Sequence, residues 1–208
     1  MKFIGLQTMT GKLLATAAVL GSTAAVASYG TFGSFTASTT TASSSVTSGT
    51  VALTLGTDAT AANRLSVAAT GIVPTDSIQR AVDLTNSGSQ NLASVTLTTA
   101  ATTSSLLNTN TTMGLQLKVD HCATAWTESG VAPAYTYTCA GGSTVSLAST
   151  PVVQSAISLS NMVATTAGAT DHLRITLTLP TGADNTLQGQ SSVIGFTFNG
   201  TQRAGTDK

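Results

Sequence analysis

The sequence predicts an all-β protein: an antiparallel β-sandwich with jelly-roll or Greek-key connections, preceded by a cleaved signal peptide. Three observations carry this. Several stretches alternate apolar with hydroxyl side chains, the period-2 pattern of a half-buried strand. Of 208 residues, 65 are Ser or Thr, and β-branched Thr suits a pleated surface. Only 8% are charged, so hydroxyls rather than charges keep the surface wet. A Ser/Thr-rich chain can also be disordered, but the regular Val, Leu and Ile spacing opposes that for most of the length. The size fits one domain with one core.

The first element is the leader. Lys2 and Lys12 flank the start of the apolar run Leu13 to Ala27, and Ala25-Val26-Ala27 is a small-x-small cleavage signal. A buried helix is the other reading, and the N-terminal position argues against it. Cleavage on this pattern falls between Ala27 and Ser28. Removing Lys2 and Lys12 leaves six basic against eight acidic groups, a net charge of about −2 by that arithmetic. No basic patch remains for phosphates, so nucleic acid is not an expected partner. After residue 27 no apolar run approaches the about 20 residues that span a bilayer.

Export places the chain in an oxidising compartment, and it has two cysteines, Cys122 and Cys139. A disulfide is the expected pairing, worth about 3 kcal/mol for a loop of this size. Two free thiols, or half of a metal site, are the alternatives.

The strands follow in order. Val51–Leu55 is bounded by Gly49 and Gly56; Arg64–Ala68 and Ser77–Thr85 come next, the latter closed by the turn Asn86-Ser87-Gly88. Leu92–Thr98, Gly114–Asp120 and Ala134–Cys139 follow, with Trp126–Tyr135 supplying a turn before the last. In His172–Leu179 the residues Leu173, Ile175, Leu177 and Leu179 share one face. Ser192–Phe198 completes the set. Pro151–Ser160 reads as a strand or a helical turn, and Ser104–Thr112 as a helical turn or loop. There is no fixed-period repeat and no interior boundary, so residues 51–208 form one sandwich.

Chemistry is scarce. No metalloprotease helix motif, serine-hydrolase elbow, phosphate-binding loop or dinucleotide fingerprint occurs. His121 and His172 each follow an aspartate, but neighbours on a strand point to opposite faces, so neither pair converges. A site built across strands from both pairs is the remaining option. Glu128 lies near Trp126, Tyr135 and Tyr137, which form either a small core against the disulfide or a carbohydrate-stacking surface. Paired threonines (Thr96 and Thr98, Thr136 and Thr138, Thr176 and Thr178) lack a solenoid period and read as strand faces. Asn110 and Asn199 begin glycosylation sequons. No catalytic residue, cofactor or metal ligand is expected.

Four short motifs carry a resemblance. Gly-Thr-Phe-Gly-Ser-Phe-Thr (Gly30 to Thr36) ends the leader. Ser48 to Leu55 supplies a Ser-Gly-Thr strand, and Val73 to Ser89 holds Pro74, Asp76, Asn86, Gly88 and Ser89. In this layout the chain resembles the TasA/camelysin family of secreted biofilm-matrix proteins, except that Thr75 stands where the family has Gly. The middle and the terminal Phe198 to Thr206 resemble an actinobacterial-type branch. The resemblance implies a jelly-roll subunit, secreted to the cell surface or beyond, that polymerises with its own kind into fibres. It moves the cut to Gly33 and Ser34, so that 1–33 is the signal removed by signal peptidase and 34–50 a flexible arm. That arm, led by Ser34, Phe35 and Thr36, is the expected donor strand, with Phe35 its one large apolar anchor. A head-to-tail contact of this kind gives open filaments. Relatives are also described as metalloendopeptidases, an activity for which the sequence offers no zinc motif. The chain lacks a sorting motif, so wall attachment is expected to be indirect. A monomeric sandwich binding glycan through Trp126 is the alternative.

Overall fold

Alternation becomes pairing over most of the chain. The structure, a computed structural model, describes residues 36–38, 50–65, 67–69 and 71–205. Phe35–Lys208 gather as one compact unit. The strands are β1 (Thr36–Ser38), β2 (Leu53–Leu55), β3 (Val67–Ala69), β4 (Ser77–Asn86), β5 (Leu92–Thr103) and β6 (Gln116–Cys122). Then come β7 (Thr127–Val131), β8 (Ala134–Thr138), β9 (Ser143–Pro151), β10 (Gln154–Ser158), β11 (Thr170–Thr178) and β12 (Ser192–Gln202). One sheet runs β1–β12–β5–β10, with β3 also on β12; the other runs β2–β4–β11–β6–β9; β7 and β8 form a separate hairpin. Every pairing is antiparallel. The chain changes sheet at every step from β1 to β6 and again between β9 and β10, β10 and β11, and β11 and β12, which is the expected jelly-roll habit.

The core lies between the sheets. From the second sheet come Leu53, Val82, Leu84, Leu117, Val119, Leu173, Ile175 and Leu177; Val67, Val95, Leu97, Ile194 and Phe198 meet them from the first. The β11 face of Leu173, Ile175, Leu177 and Leu179 is buried as its periodicity predicts. Each such side chain contributes about 1.5–3 kcal/mol by leaving water, set against chain entropy.

Two elements differ from the sequence reading, and two that it left open resolve. Trp126–Tyr135, expected as a turn, is mostly strand: β7 and β8 pair from Thr127↔Thr138 to Val131↔Ala134, leaving only Ala132 and Pro133 between them. β9 had no predicted counterpart. Its register slips opposite Val119 and Asp120, so Ser146 and Leu147 are both buried and the alternation fails. Pro151–Ser160 resolves as strand β10. Ser104–Thr112 holds a one-turn helix, α1 (Leu106–Thr109). There the Ser105 hydroxyl accepts from Leu107 N at 3.1 Å, and Asn108 Oδ1 accepts from Ser105 N at 2.7 Å, a reciprocal cap. Of the expected arm, 34–50, only Thr36–Ser38 and Thr50 are described. Ser34 and Phe35, and the cleavage positions Gly33, Ala27 and Ser28, lie outside the described residues.

Candidate functional site

The outer edge of β12 is covered only in part among the described residues. Along one side β12 pairs with β5 from Val193↔Thr103 to Gln202↔Leu92. On its other side β3 covers Ser192–Ile194 (Ser192↔Ala69) and β1 covers Asn199–Thr201 (Thr36↔Thr201, Ala37↔Gly200, Ser38↔Asn199). Among the described residues no strand pairs with residues 195–197 on that side. Gly195, Phe196 and Thr197 are half-buried there, and Phe198 points into the core. Among the described residues the edge is covered at both ends by three-residue strands, with residues 195–197 uncovered between them. Gly200 is fixed by packing: a Cβ there would lie 2.8 Å from Leu92 Cδ1 and 3.0 Å from Leu53 Cδ1.

The conserved-looking motif after β4 has a structural meaning that spacing alone did not show. Asn86 is fully buried; its Nδ2 donates to Gln90 O at 3.1 Å and its Oδ1 accepts from Gly88 N at 3.0 Å. The tight turn presents Ser87 N to Ala52 O and Ser89 N to Thr50 O, both at 2.9 Å, while Ser89 Oγ accepts from Thr50 N at 3.2 Å. A Cβ on Gly88 would collide with the Thr50 carbonyl. Asn86, Gly88 and Ser89 thus clasp the chain where it enters β2, the point from which the N-terminal arm departs.

Pro74–Ser77 forms the other turn of that motif. Thr75 has φ +80°, and Asp76 Oδ2 accepts from Val73 N at 2.9 Å. A threonine in the left-handed region is strained by its Cβ, which is why Gly is the natural occupant.

On the outer face of the second sheet lies a smaller core of Ala81, Cys122, Trp126 and Tyr137, with Tyr135 and Cys139 against it. Cys122 and Cys139 form the expected disulfide, with Cα atoms 5.7 Å apart, and neither is free to bind metal. It ties the β7–β8 hairpin at its base. Trp126 is only 7% exposed, donates from Nε1 to His172 O at 2.9 Å and lies under the Arg174 guanidinium at 4.5 Å. One ring face is therefore taken by Arg174, and little of the ring is left exposed for stacking on a sugar.

The hairpin is also clamped electrostatically. Arg64 grips both Glu128 oxygens, at 3.0 and 2.8 Å, and Tyr137 Oη donates to Glu128 at 2.9 Å. The Arg64 hydrogen bond, with a second from Tyr137, holds the Glu128 carboxyl below the usual carboxylate range despite burial. Burial first, then the Glu128 bond, pushes the Tyr137 phenol up to about 12. Beneath, burial raises the Asp120 carboxyl, but hydrogen bonds from Arg174 and Lys118 outweigh it and leave it depressed.

The histidines behave as strand geometry requires. Neither pairs with its preceding aspartate. His121 Nε2 meets Asp171 Oδ1 at 3.2 Å, and His172 Nδ1 meets Asp83 Oδ1 at 2.6 Å. Residues 121 and 172 belong to opposite faces of the sheet, so the two pairs do not build one site. Among the described residues no group of three or more His, Cys, Asp or Glu is placed to hold a metal ion. No described helix is long and apolar enough to cross a membrane.

A family profile described as camelysin metallo-endopeptidase matches residues 7–207. The chain belongs to the camelysin family. No curated protein matches it. The match runs well past the four N-terminal motifs: it takes in the disulfide-tied hairpin and all of β12. In this camelysin-family chain the metal implied by the family description has no fitting ligand set among the described residues. Asp120 is committed to Arg174 and Lys118, Asp171 to backbone N–H groups, and both cysteines to each other.

Proposed function

We propose that the protein is a secreted structural subunit whose copies assemble head to tail into extracellular fibres, with the arm of one copy completing the β12 edge of the next. The observation that carries this reading is the edge itself. On the side away from β5, residues 195–197 of a core-lining strand have no strand beside them among the described residues, next to a three-residue strand that belongs to the arm. Main-chain pairing at such an edge accepts any strand of suitable register, including an identical one from another copy.

The register supplies the detail. In a neighbour's arm laid on β12 in the register Thr36↔Thr201, Phe35 would stand opposite Gln202. Continued the other way, the same register would set residues 40–42 of that neighbour's arm opposite residues 197–195. A neighbour's arm would then exchange three pairs for about eight. The contact is heterologous and does not close, so filaments result. On this reading signal peptidase cuts between Gly33 and Ser34, the protein works outside the cell, no cofactor is involved, and its role is structural rather than enzymatic. The branch assignment to an actinobacterial type is part of the same proposal.

The test is direct. Mature protein beginning at Ser34 forms filaments under negative-stain microscopy, and removal of residues 34–41 leaves folded monomers. Filaments that survive the deletion would overturn the donor role. Casein cleavage that stops on chelation, with stoichiometric zinc, would replace the structural reading with the family's named activity.

A further inference from the structure

A chain with 65 hydroxyl residues gives no reason to single one out unless something activates it. Thr144 is set apart in this way. Its Oγ1 lies 3.5 Å from His121 Nδ1, the one contact between a hydroxyl and an imidazole nitrogen among the described hydrogen bonds. The far side of the same ring, Nε2, lies 3.2 Å from Asp171 Oδ1. Asp171 is fully buried, and it is held in place: Oδ1 accepts from Val163 N at 2.8 Å and Oδ2 from Ala164 N at 2.7 Å.

The three residues form one row across adjacent strands. His121 stands opposite Thr144 in the β6–β9 pairing and opposite Leu173 in the β6–β11 pairing, with Asp171 two residues along on the same face. Two backbone N–H donors hold Asp171 in place. A carboxyl oxygen accepting at Nε2 fixes the tautomer that carries its proton there, so Nδ1 presents a lone pair to the Thr144 hydroxyl. Nucleophile, base and orienter on rigid strands are the arrangement that activates an alcohol. Access is open as well. Thr144 is exposed, His121 is 11% exposed, and Gly141 and Gly142 lead into β9 with empty space where a Cβ would stand.

We propose that Thr144 is an acyl-acceptor site, at which the hydroxyl takes an acyl group from an activated ester or thioester. Thr144 Oγ1 forms a bond to the acyl carbon while its proton passes to His121 Nδ1. The donor's carbonyl–oxygen or carbonyl–sulfur bond breaks, and the departing alcohol or thiol takes that proton from the ring. The product is a threonine ester, with no change in oxidation state. His121 acts as the base, and Asp171 is a positioning residue that sets the tautomer. The site is independent of the β12 edge and of whether fibres form.

Full-length secreted protein is incubated with p-nitrophenyl acetate in one arm and with a small acetyl thioester in the other. Acetyl groups are then located by peptide mass spectrometry. Acetylation is expected at Thr144 ahead of all other hydroxyls, lost in T144V and kept in T144S. H121Q lowers the rate about a hundredfold, the usual scale for losing a general base, and added imidazole restores part of it in H121G. D171N changes the pH dependence of labelling; among the described residues Asp171 is the charged side chain paired with His121, while Lys118 and Asp120 lie on the opposite face of β6. Circular dichroism confirms that each variant is folded. Labelling spread over many hydroxyls, none at Thr144, or a Thr144 rate unchanged in folded H121Q would overturn the proposal. If only one donor type reacts, that arm identifies the class.

Discussion

The β7–β8 hairpin and the β12 edge are both additions to the same sandwich, and they are attached by opposite means. The hairpin is fixed by side chains: a disulfide, a buried Trp, a bidentate Arg64–Glu128 pair, and Arg174 bridging Trp126, Asp120 and Tyr137 O. The edge is covered by main-chain bonds to six residues, Thr36–Ser38 and Val67–Ala69, none of them charged. Side-chain locks are specific to one partner, whereas a backbone ladder accepts any strand of the right register. The molecule concentrates its few charges where nothing should move and leaves them out where exchange is proposed.

The strongest way to break this contrast is at the hairpin. Trp126→Ala removes the centre of the small core and should cost about 3–5 kcal/mol, read as a large fall in thermal midpoint. Filaments should still form at a temperature where the variant is folded. If they do not, the hairpin takes part in assembly and the two regions are not independent.

At the edge, Gly200→Val forces atoms into the space held by Leu92 and Leu53, at a cost of about 1–3 kcal/mol. The smaller stability loss should accompany a larger functional one, because residue 200 stands opposite Ala37 in the proposed acceptor row. Normal filaments from folded Gly200→Val would remove β12 as the acceptor.

Acid separates the regions more finely. The folded Glu128 carboxyl titrates below its ordinary value of 4.5, chiefly because of Arg64. A depressed carboxylate contributes stability that is present above its unfolded pKa and is lost as pH falls through its folded pKa. The melting temperature should therefore fall on acidification below about pH 4.5, and less steeply in Glu128→Gln. Asp120, depressed in the same sense, remains in both proteins and sets the residual slope. Equal slopes would show that the clamp adds nothing to stability.

How far these regions could be read from sequence follows from what holds them. β4, β5 and β11 were legible because each keeps one face in the core for nine or more residues, so alternation survives. β7 was not: Thr-Glu-Ser-Gly-Val belongs to a flap, almost wholly exposed, with no buried face to write a period. β9 lost its period to the bulge at Ser146. The small core around Trp126 was visible as a cluster of aromatics beside a cysteine. The partners of Glu128 and the two histidines were not, since Arg64, Asp83 and Asp171 lie 64, 89 and 50 residues away in the chain. The clasp on Thr50 was invisible because its working groups are backbone atoms.

The smallest effect tests Thr75, the motif position at which the resemblance implies a glycine. Thr75 sits at φ +80° in the turn before β4, where its backbone N–H donates to Leu179 O at 2.9 Å and Leu179 N returns a bond to Asp76 O at 3.0 Å. Those bonds tie the turn to the end of β11 and hold the residue in the left-handed region whatever its side chain. A Cβ there costs about 1–2 kcal/mol relative to Gly, part of which is offset because Gly also loosens the unfolded chain. Thr75→Gly should therefore stabilise the protein by about 1 kcal/mol, raising the denaturation midpoint without changing its slope. The turn is bonded to the sandwich rather than to either addition, so the gain should leave both filament formation and the acid response of Glu128 unchanged. A loss of stability would mean that the threonine side chain makes a compensating contact, and that the family's glycine is not simply a matter of backbone angle.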